Sequence, residues 1–300
     1  MRFKLLVFLL AAAFLAGTFL TAFWYYQNVD QPQKLAEAQL KQKDRQAALG
    51  AAPDPGQNVF VKAVEALRQN QPQEAREHLL RLTKIYQDSP RCRDARRILG
   101  EMNMDRLFSR TPMPGKHDYA VKPGDSLLRI EKGSLTTIPF LNRLNNLSGT
   151  VLQPGDRLVY QPLEFEIEVS LPQKTLTVRQ KAPSGKTFEF FKDYPVTSVN
   201  LPPGIPKTLQ TQIQEKAAFI GEKKIPSTDL HYQSARKWLQ CSTRAGRLGL
   251  LFRPQSERKS SPATSAAGSD DLTYGIFLEE GDIEELNTII RPGTPVAVHQ

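Results

Sequence analysis

The sequence predicts a multidomain α+β chain: an N-terminal transmembrane helix, a helical spacer, a small β-α-α-β module and a C-terminal, mainly-β domain. Three observations carry this. Leu5 to Trp24 is free of charge. From Asn58 to about Phe108 apolar residues recur at helical spacing. After Pro162 the pattern alternates with a period of two, as in Phe165, Ile167 and Val169.

The first element, residues 1–26, reads as a signal-anchor. About 20 residues at a rise of ~1.5 Å cross the hydrocarbon core. Trp24, Tyr25 and Tyr26 fit an interfacial belt, and Arg2 and Lys4 hold the short end in the cytoplasm. The bulk of the chain then lies outside the cytoplasm, on the periplasmic or cell-wall side. A cleaved signal peptide is the alternative, and both export the remainder. Residues 27–57 form a polar stalk, broken at its end by Pro53, Pro55 and Gly56.

In the helical segment, 58–108, Val59, Ala63 and Leu67 mark one helix, with Phe60 and Val64 beside them. Pro72 starts a second, whose face is Ala75, Leu79, Leu82 and Tyr86. A third is expected with Ser89 as cap and Pro90 at its first position. The stretch "AVEALRQNQPQEAREHLLRLTKIYQDSP" resembles a tetratricopeptide repeat, over about one and a half repeats where solenoids need about three. Two readings stand, a helical spacer and a protein-docking groove.

Residues 109–117 are a linker. The module at 118–161 contains "YAVKPGDSLLRI", "LNRLNNL" and "LQPGDRL". Ser126 caps a first helix carrying Leu127 and Ile130. Thr136 and Thr137 introduce a second with Ile138, Leu141 and Leu144. The module resembles the lysin motif (LysM), whose pattern these three stretches meet. The resemblance implies binding of peptidoglycan or another N-acetylglucosamine glycan, in a groove between two loops. Gly124, Asp125, Ser126 and Leu127 fall on one wall, and Leu152, Gln153 and Pro154 on the other. From the residues themselves, Gly124 and Gly155 are turn residues, Leu127 is core, and Asp125 and Asp156 close turns.

The C-terminal part, 164–298, runs through the hairpin "FEIEVSL"–"TLTVRQ", a loop at Pro202–Lys207, an apolar strand at "GRLGLLF" and a polar exposed loop at 255–271. It ends in an acidic helix around Asp282 to Ile290 and a final strand. "IEVSLPQKTLTV", "YPVTSV" with "PPGIPK", and "DIEELNTIIRPGTPVAV" resemble the L,D-transpeptidase domain. That family's catalytic Cys, His and Arg would fall near Tyr274, Gly275, Ile276 and Phe277, and its upstream His near Leu251 to Arg253. None of these residue types stands in the matching place. A thiolate needs a base and oxyanion donors, so the resemblance implies a pseudoenzyme that binds or scaffolds.

The balance of 40 basic to 31 acidic residues gives +9, which suits an anionic surface. The charge is dispersed rather than gathered with aromatics, so no nucleic-acid partner is expected. Cys92 and Cys241 lie far apart, and the four histidines form no ligand pair, so neither metal nor cofactor is expected. Candidate partners are the glycan, the membrane through the N-terminal helix, and a second envelope protein. Two alternatives remain: a divergent transpeptidase or hydrolase using Cys241 or His231, and an adaptor acting through the helical segment.

Overall fold

The structure, a computed structural model, describes residues 54–147, 149–182, 184–201, 206–241, 250–259 and 274–300. The signal-anchor, nearly all of the stalk, most of the Pro202–Lys207 loop and most of the polar loop at 255–271 lie outside them. Two compact units divide between Asn58 and Val59. Of the first, the described residues form the opening turn of α1 (Pro55–Arg68). The second unit is one body from Val59 onward, a mixed α+β arrangement with a mainly-β C-terminal half.

Among the described residues three helices come first: the rest of α1, then α2 (Pro72–Ile85) and α3 (Cys92–Phe108). Pro72 begins α2, where its missing N–H costs nothing. The third helix starts two residues later than expected. Ser89 is not its cap; the Ser89 hydroxyl accepts from the Arg91 N–H, and Cys92 N–H closes a turn on the Ser89 carbonyl. Ala63, Leu79, Leu82, Ala95 and Leu99 are fully buried between the helices, with Phe190 of the following sheet against them.

The module follows as β1 (His117–Ala120), α4 (Leu127–Gly133), α5 (Ile138–Asn145) and β2 (Arg157–Tyr160). β1 and β2 pair antiparallel, with Tyr119 opposite Leu158. Ser126 and Thr137 cap the helices as expected, accepting from Arg129 and Phe140 N–H. A small core gathers Val121, Leu127, Ile130, Ile138, Leu141 and Leu158.

The C-terminal half contains β3 (Phe165–Ser170), β4 (Thr175–Lys181), β5 (Phe188–Pro195), β6 (Ser198–Asn200), β7 (Thr208–Ile220) and β8 (Lys223–Ile225). After these come β9 (Arg236–Cys241), β10 (Leu251–Pro254), α6 (Ser256–Lys259), β11 (Gly275–Leu278), α7 (Glu280–Ile289) and β12 (Pro295–His299). The sheet runs β5-β4-β3-β12-β7-β9-β10-β11-β6, and β8 pairs β7. Among the described residues only β3/β12 and β10/β11 are parallel. β7 is the long member. Its first half pairs β12, its second half pairs β9, and the register shifts between Ile213 and Glu215. Such an irregularity bends a strand. One core unites both halves of the sheet, from Val178 and Val296 to Phe252 and Ile276.

The three segments were expected as modules joined by linkers; they share surfaces instead. Phe140 and Leu144 of α5 and Met104 and Leu107 of α3 belong to the C-terminal core. The Thr137 hydroxyl donates to the Thr288 carbonyl of α7. Arg96 of α3 clamps Asp193 of β5 with bonds of 2.6 and 2.7 Å, and its guanidinium lies 4.1 Å from the Phe190 ring centre. Gly100 lets α3 approach, since a Cβ there would stand 3.0 Å from Lys192 Cγ. The Lys192 ammonium, nearly buried, joins Glu101 of α3 at 2.9 Å to Glu285 of α7 at 2.7 Å. Local periodicity cannot register such contacts, because their partners are distant in the chain.

Candidate functional site

Two loops of the small module lie side by side. Val121 N–H donates to the Asp156 carbonyl at 2.9 Å, and Gly155 N–H donates to the Val121 carbonyl at 2.8 Å. The loops share one turn design. Gly124 and Gly155 take φ of +84° and +98°, which an L side chain rarely adopts. In each turn an aspartate accepts a backbone N–H from three residues earlier: Asp125 from Lys122 at 2.8 Å, Asp156 from Gln153 at 2.9 Å. Asp125 also accepts from the Tyr119 hydroxyl at 2.8 Å. These bonds, the backbone one first, hold its carboxyl below the usual range.

The expected groove residues divide accordingly. Gly124, Ser126, Gln153 and Pro154 are exposed along the loops. Asp125 spends its carboxylate inside the turn. Leu127, placed on the wall by the resemblance and in the core by the residues themselves, is 2% exposed and belongs to the core, because it is the first residue of α4 on that helix's inner face. Leu152 is half-buried against the same core. Leu128 and Val151, which sequence reasoning passed over, are apolar and exposed at 49% and 87%.

A separate cavity of about 940 Å³ opens between the module and the C-terminal half, lined by Asn142, Asn146 and Thr150 on one side and Thr228, Arg236 and Glu284 on the other. None of the seven expected groove residues lines it.

The second expected site sits on β11. Tyr274 is half-buried, and Gly275, Ile276, Phe277 and Leu278 are all buried. β11 is an inner strand, parallel to β10 with Phe252 opposite Ile276, and antiparallel to β6. A Cβ on Gly275 would come within 2.9 Å of the Leu251 carbonyl oxygen and 3.2 Å of Arg253 Cδ. No side chain fits at Gly275 without backbone displacement. Gly275→Cys is therefore expected to yield no transpeptidase turnover on muropeptides and to lower stability by about 1–3 kcal/mol, measurable by urea titration.

Arg253, at the end of the stretch where the upstream His was sought, is buried in an ion pair. It donates to Glu257 through Nε at 2.9 Å and pairs through Nη2 at 2.8 Å. Trp238 Nε1 donates to the same carboxylate at 2.6 Å, and the guanidinium lies 4.7 Å from the Trp238 ring centre. Sequence reasoning placed Glu257 in a polar exposed loop; α6 folds it inward, its side chain 5% exposed. The four-residue spacing carried no signal, because Arg253 lies on a strand and Glu257 on the helix after it.

Cys241 is fully buried in the apolar core, and desolvation pushes its thiol far above the ordinary range. His231 stands on an exposed turn, where its backbone N–H donates to Asp229. Among the described residues no three His, Cys, Asp or Glu side chains gather to hold a metal ion. Among them, too, no helix is long and apolar enough to cross a membrane.

Residues 119–160 match the family model of the LysM domain. No curated protein matches the chain. Among solved structures, the chain is similar to a fused Zn-dependent amidase/peptidase/peptidoglycan-binding domain-containing protein of Clostridium acetobutylicum. That match has 14% identity and a TM-score of 0.28, covering 45% of this chain and 52% of the other. A Bdellovibrio bacteriovorus protein matches at 18% identity and a TM-score of 0.29, over 44% and 46%. An Enterococcus faecium L,D-transpeptidase mutant matches at 17% identity and a TM-score of 0.25, over 50% and 55%. The chain spans about half the length of these structures.

Proposed function

We propose that this protein holds peptidoglycan glycan through its LysM domain and that its C-terminal domain serves binding or scaffolding without catalysis. The observation that carries the reading is the LysM match at 119–160, with two exposed loops tied together through Val121. Gly124, Ser126 and Pro154 offer backbone polar groups and Gln153 its side-chain amide to acetamido groups, while Leu128, Val151 and Leu152 offer apolar contact to their methyls. Leu127 and Asp125 act through the fold. The uncharged run Leu5 to Trp24 supports a single membrane anchor, which confines the domain near the wall and raises its effective concentration there.

β11 supports the absence of catalysis. Its glycine has no room for a nucleophile, and its neighbour Arg253 is engaged by Glu257. The rival enzyme reading would need Cys241, whose thiol is buried among apolar side chains, or His231, which lies on an exposed turn. The adaptor reading would need a free apolar face on the helical segment. That segment commits Leu79, Leu99, Met104 and Leu107 to its own core and to the sheet.

Co-sedimentation of residues 54–300 with insoluble peptidoglycan tests the reading, with muropeptides profiled from the same tubes. Wild type is expected to pellet and leave the muropeptides unchanged. Gln153→Asp, at an exposed position, is expected to cut the pelleted fraction several-fold with no loss of stability. Equal pelleting by both proteins would remove the loops from the glycan site, and altered muropeptides would reinstate catalysis.

A further inference from the structure

The cavity of about 940 Å³ between the LysM domain and the C-terminal half is lined largely by neutral polar side chains. Asn146 and Thr150 line it from the segment that follows α5. Ser227, Thr228 and Gln233 line it from the stretch between β8 and β9. Among the described residues no hydrogen bond engages any of these side chains. The charged groups of the same wall are spent within the protein. The Lys237 ammonium donates to Glu284 and, at 3.1 Å, to the Gln233 carbonyl. Arg236 donates to the Gly221 carbonyl, and Asp229 accepts the His231 N–H at 2.8 Å. The Arg143 guanidinium lies 4.0 Å from the Phe108 ring centre. Glu280, exposed at the start of α7, is the exception.

Both walls are held in place. Tyr232, 7% exposed, donates its hydroxyl to Asn287 of α7 at 2.6 Å. Asn146 ends α5 in the left-handed conformation, at φ +53°, and Leu147 N–H returns to the Asn142 carbonyl at 2.9 Å. Unspent hydroxyls and amides on a fixed frame suit a neutral polyhydroxyl ligand, because little ordering is left to offset. Apolar surface stands beside them. Leu230 lines the cavity at 82% exposure, and Val151, next to Thr150, is 87% exposed. These match the C–H faces and acetamido methyls of a sugar chain. Ligand sites span about 300–1,000 Å³, so a space at the upper end admits an extended ligand. The cavity also adjoins the glycan loops. Thr150 precedes Gln153 by three residues, so the two are at most about 11 Å apart.

We propose that this cavity is a further saccharide subsite, which takes the sugar units that follow those held by the LysM loops on one glycan chain. The inference rests on the glycan reading of those loops. It gives the C-terminal half a defined part in binding. Thr228 and Gln233 supply hydrogen bonds to hydroxyl and acetamido groups, and Leu230 covers an apolar sugar face. One glycan strand then spans both parts of the protein, and its length sets the affinity.

The test is calorimetric titration of the full chain with soluble N-acetylglucosamine oligomers, the disaccharide and the hexasaccharide. The hexasaccharide is expected to bind more tightly. Loss of one neutral hydrogen bond costs about two- to tenfold in affinity. Thr228→Val and Gln233→Ala are each expected to weaken hexasaccharide binding by that factor and to leave disaccharide binding and thermal unfolding unchanged. Gln153→Asp, in the loops, is expected to weaken both lengths. The two C-terminal variants separate contact from the statistical gain that a longer chain brings. Hexasaccharide binding at wild-type strength in both of them overturns the subsite and leaves the LysM reading standing, as does equal wild-type affinity for the two lengths. Equal weakening of both lengths by Thr228→Val and Gln233→Ala also overturns it, because the cavity would then not be a separate subsite. No binding of either oligomer overturns the LysM reading itself, and the subsite with it.

Discussion

Replacing Glu257 by alanine is expected to lower the unfolding free energy by about 3–5 kcal/mol, because it removes the carboxylate that a buried guanidinium and the Trp238 indole share. The Arg253 and Glu257 side chains are 6% and 5% exposed. Glu257 accepts from Arg253 and from Trp238 Nε1, and Arg236 lies 3.5 Å away. Removing the carboxylate takes from Arg253 and Trp238 the acceptor that both use. Removing both charges is a different matter, since a buried ion pair is often replaceable by apolar side chains of similar volume. The double change Arg253→Met with Glu257→Leu is therefore expected to recover most of the loss. Urea unfolding followed by circular dichroism decides. A loss under about 1 kcal/mol for Glu257→Ala would mean that water reaches the pair.

Phe140→Ala comes next, with an expected cost of about 3–5 kcal/mol for deleting a fully buried aromatic side chain. Phe140 belongs to α5 of the LysM domain, yet its ring lies 5.4 Å from Phe108 of α3 and it packs in the C-terminal core. The change therefore tests whether the parts are coupled. With a shared core, calorimetry shows one transition for residues 54–300, and the whole transition moves down in the variant. Two transitions, of which only one shifts, would mean that the LysM domain melts by itself.

The LysM domain was legible because its signals are local. Gly124 and Gly155 need positive φ, Asp125 and Asp156 close turns within four residues, and Ser126 and Thr137 cap helices they adjoin. Strand alternation in β3 and β4 was legible for the same reason. Leu127 carried two readings, groove wall from the resemblance and core from its place in the helix, and the structure bears out the second. Glu257 was misread because a polar sequence looks like a loop until Trp238, further back in the chain, joins Arg253 in giving the carboxylate buried partners. The start of α3 was misplaced because Ser-Pro marks a turn as readily as a helix cap.

β12 occupies a central position in the sheet, between β3 and β7, although its residues 295–299 follow all the other strands in the chain. During synthesis or export, β3 and β7 emerge long before the strand that joins them. Until it arrives, each exposes an unsatisfied edge capable of pairing with a neighbouring chain. Closure of this half is a late, long-range event, which slows folding. The nascent protein thus passes through a period of aggregation risk that ends only when Val296 and Val298 slot into place, and a chaperone acting on it has that interval to cover.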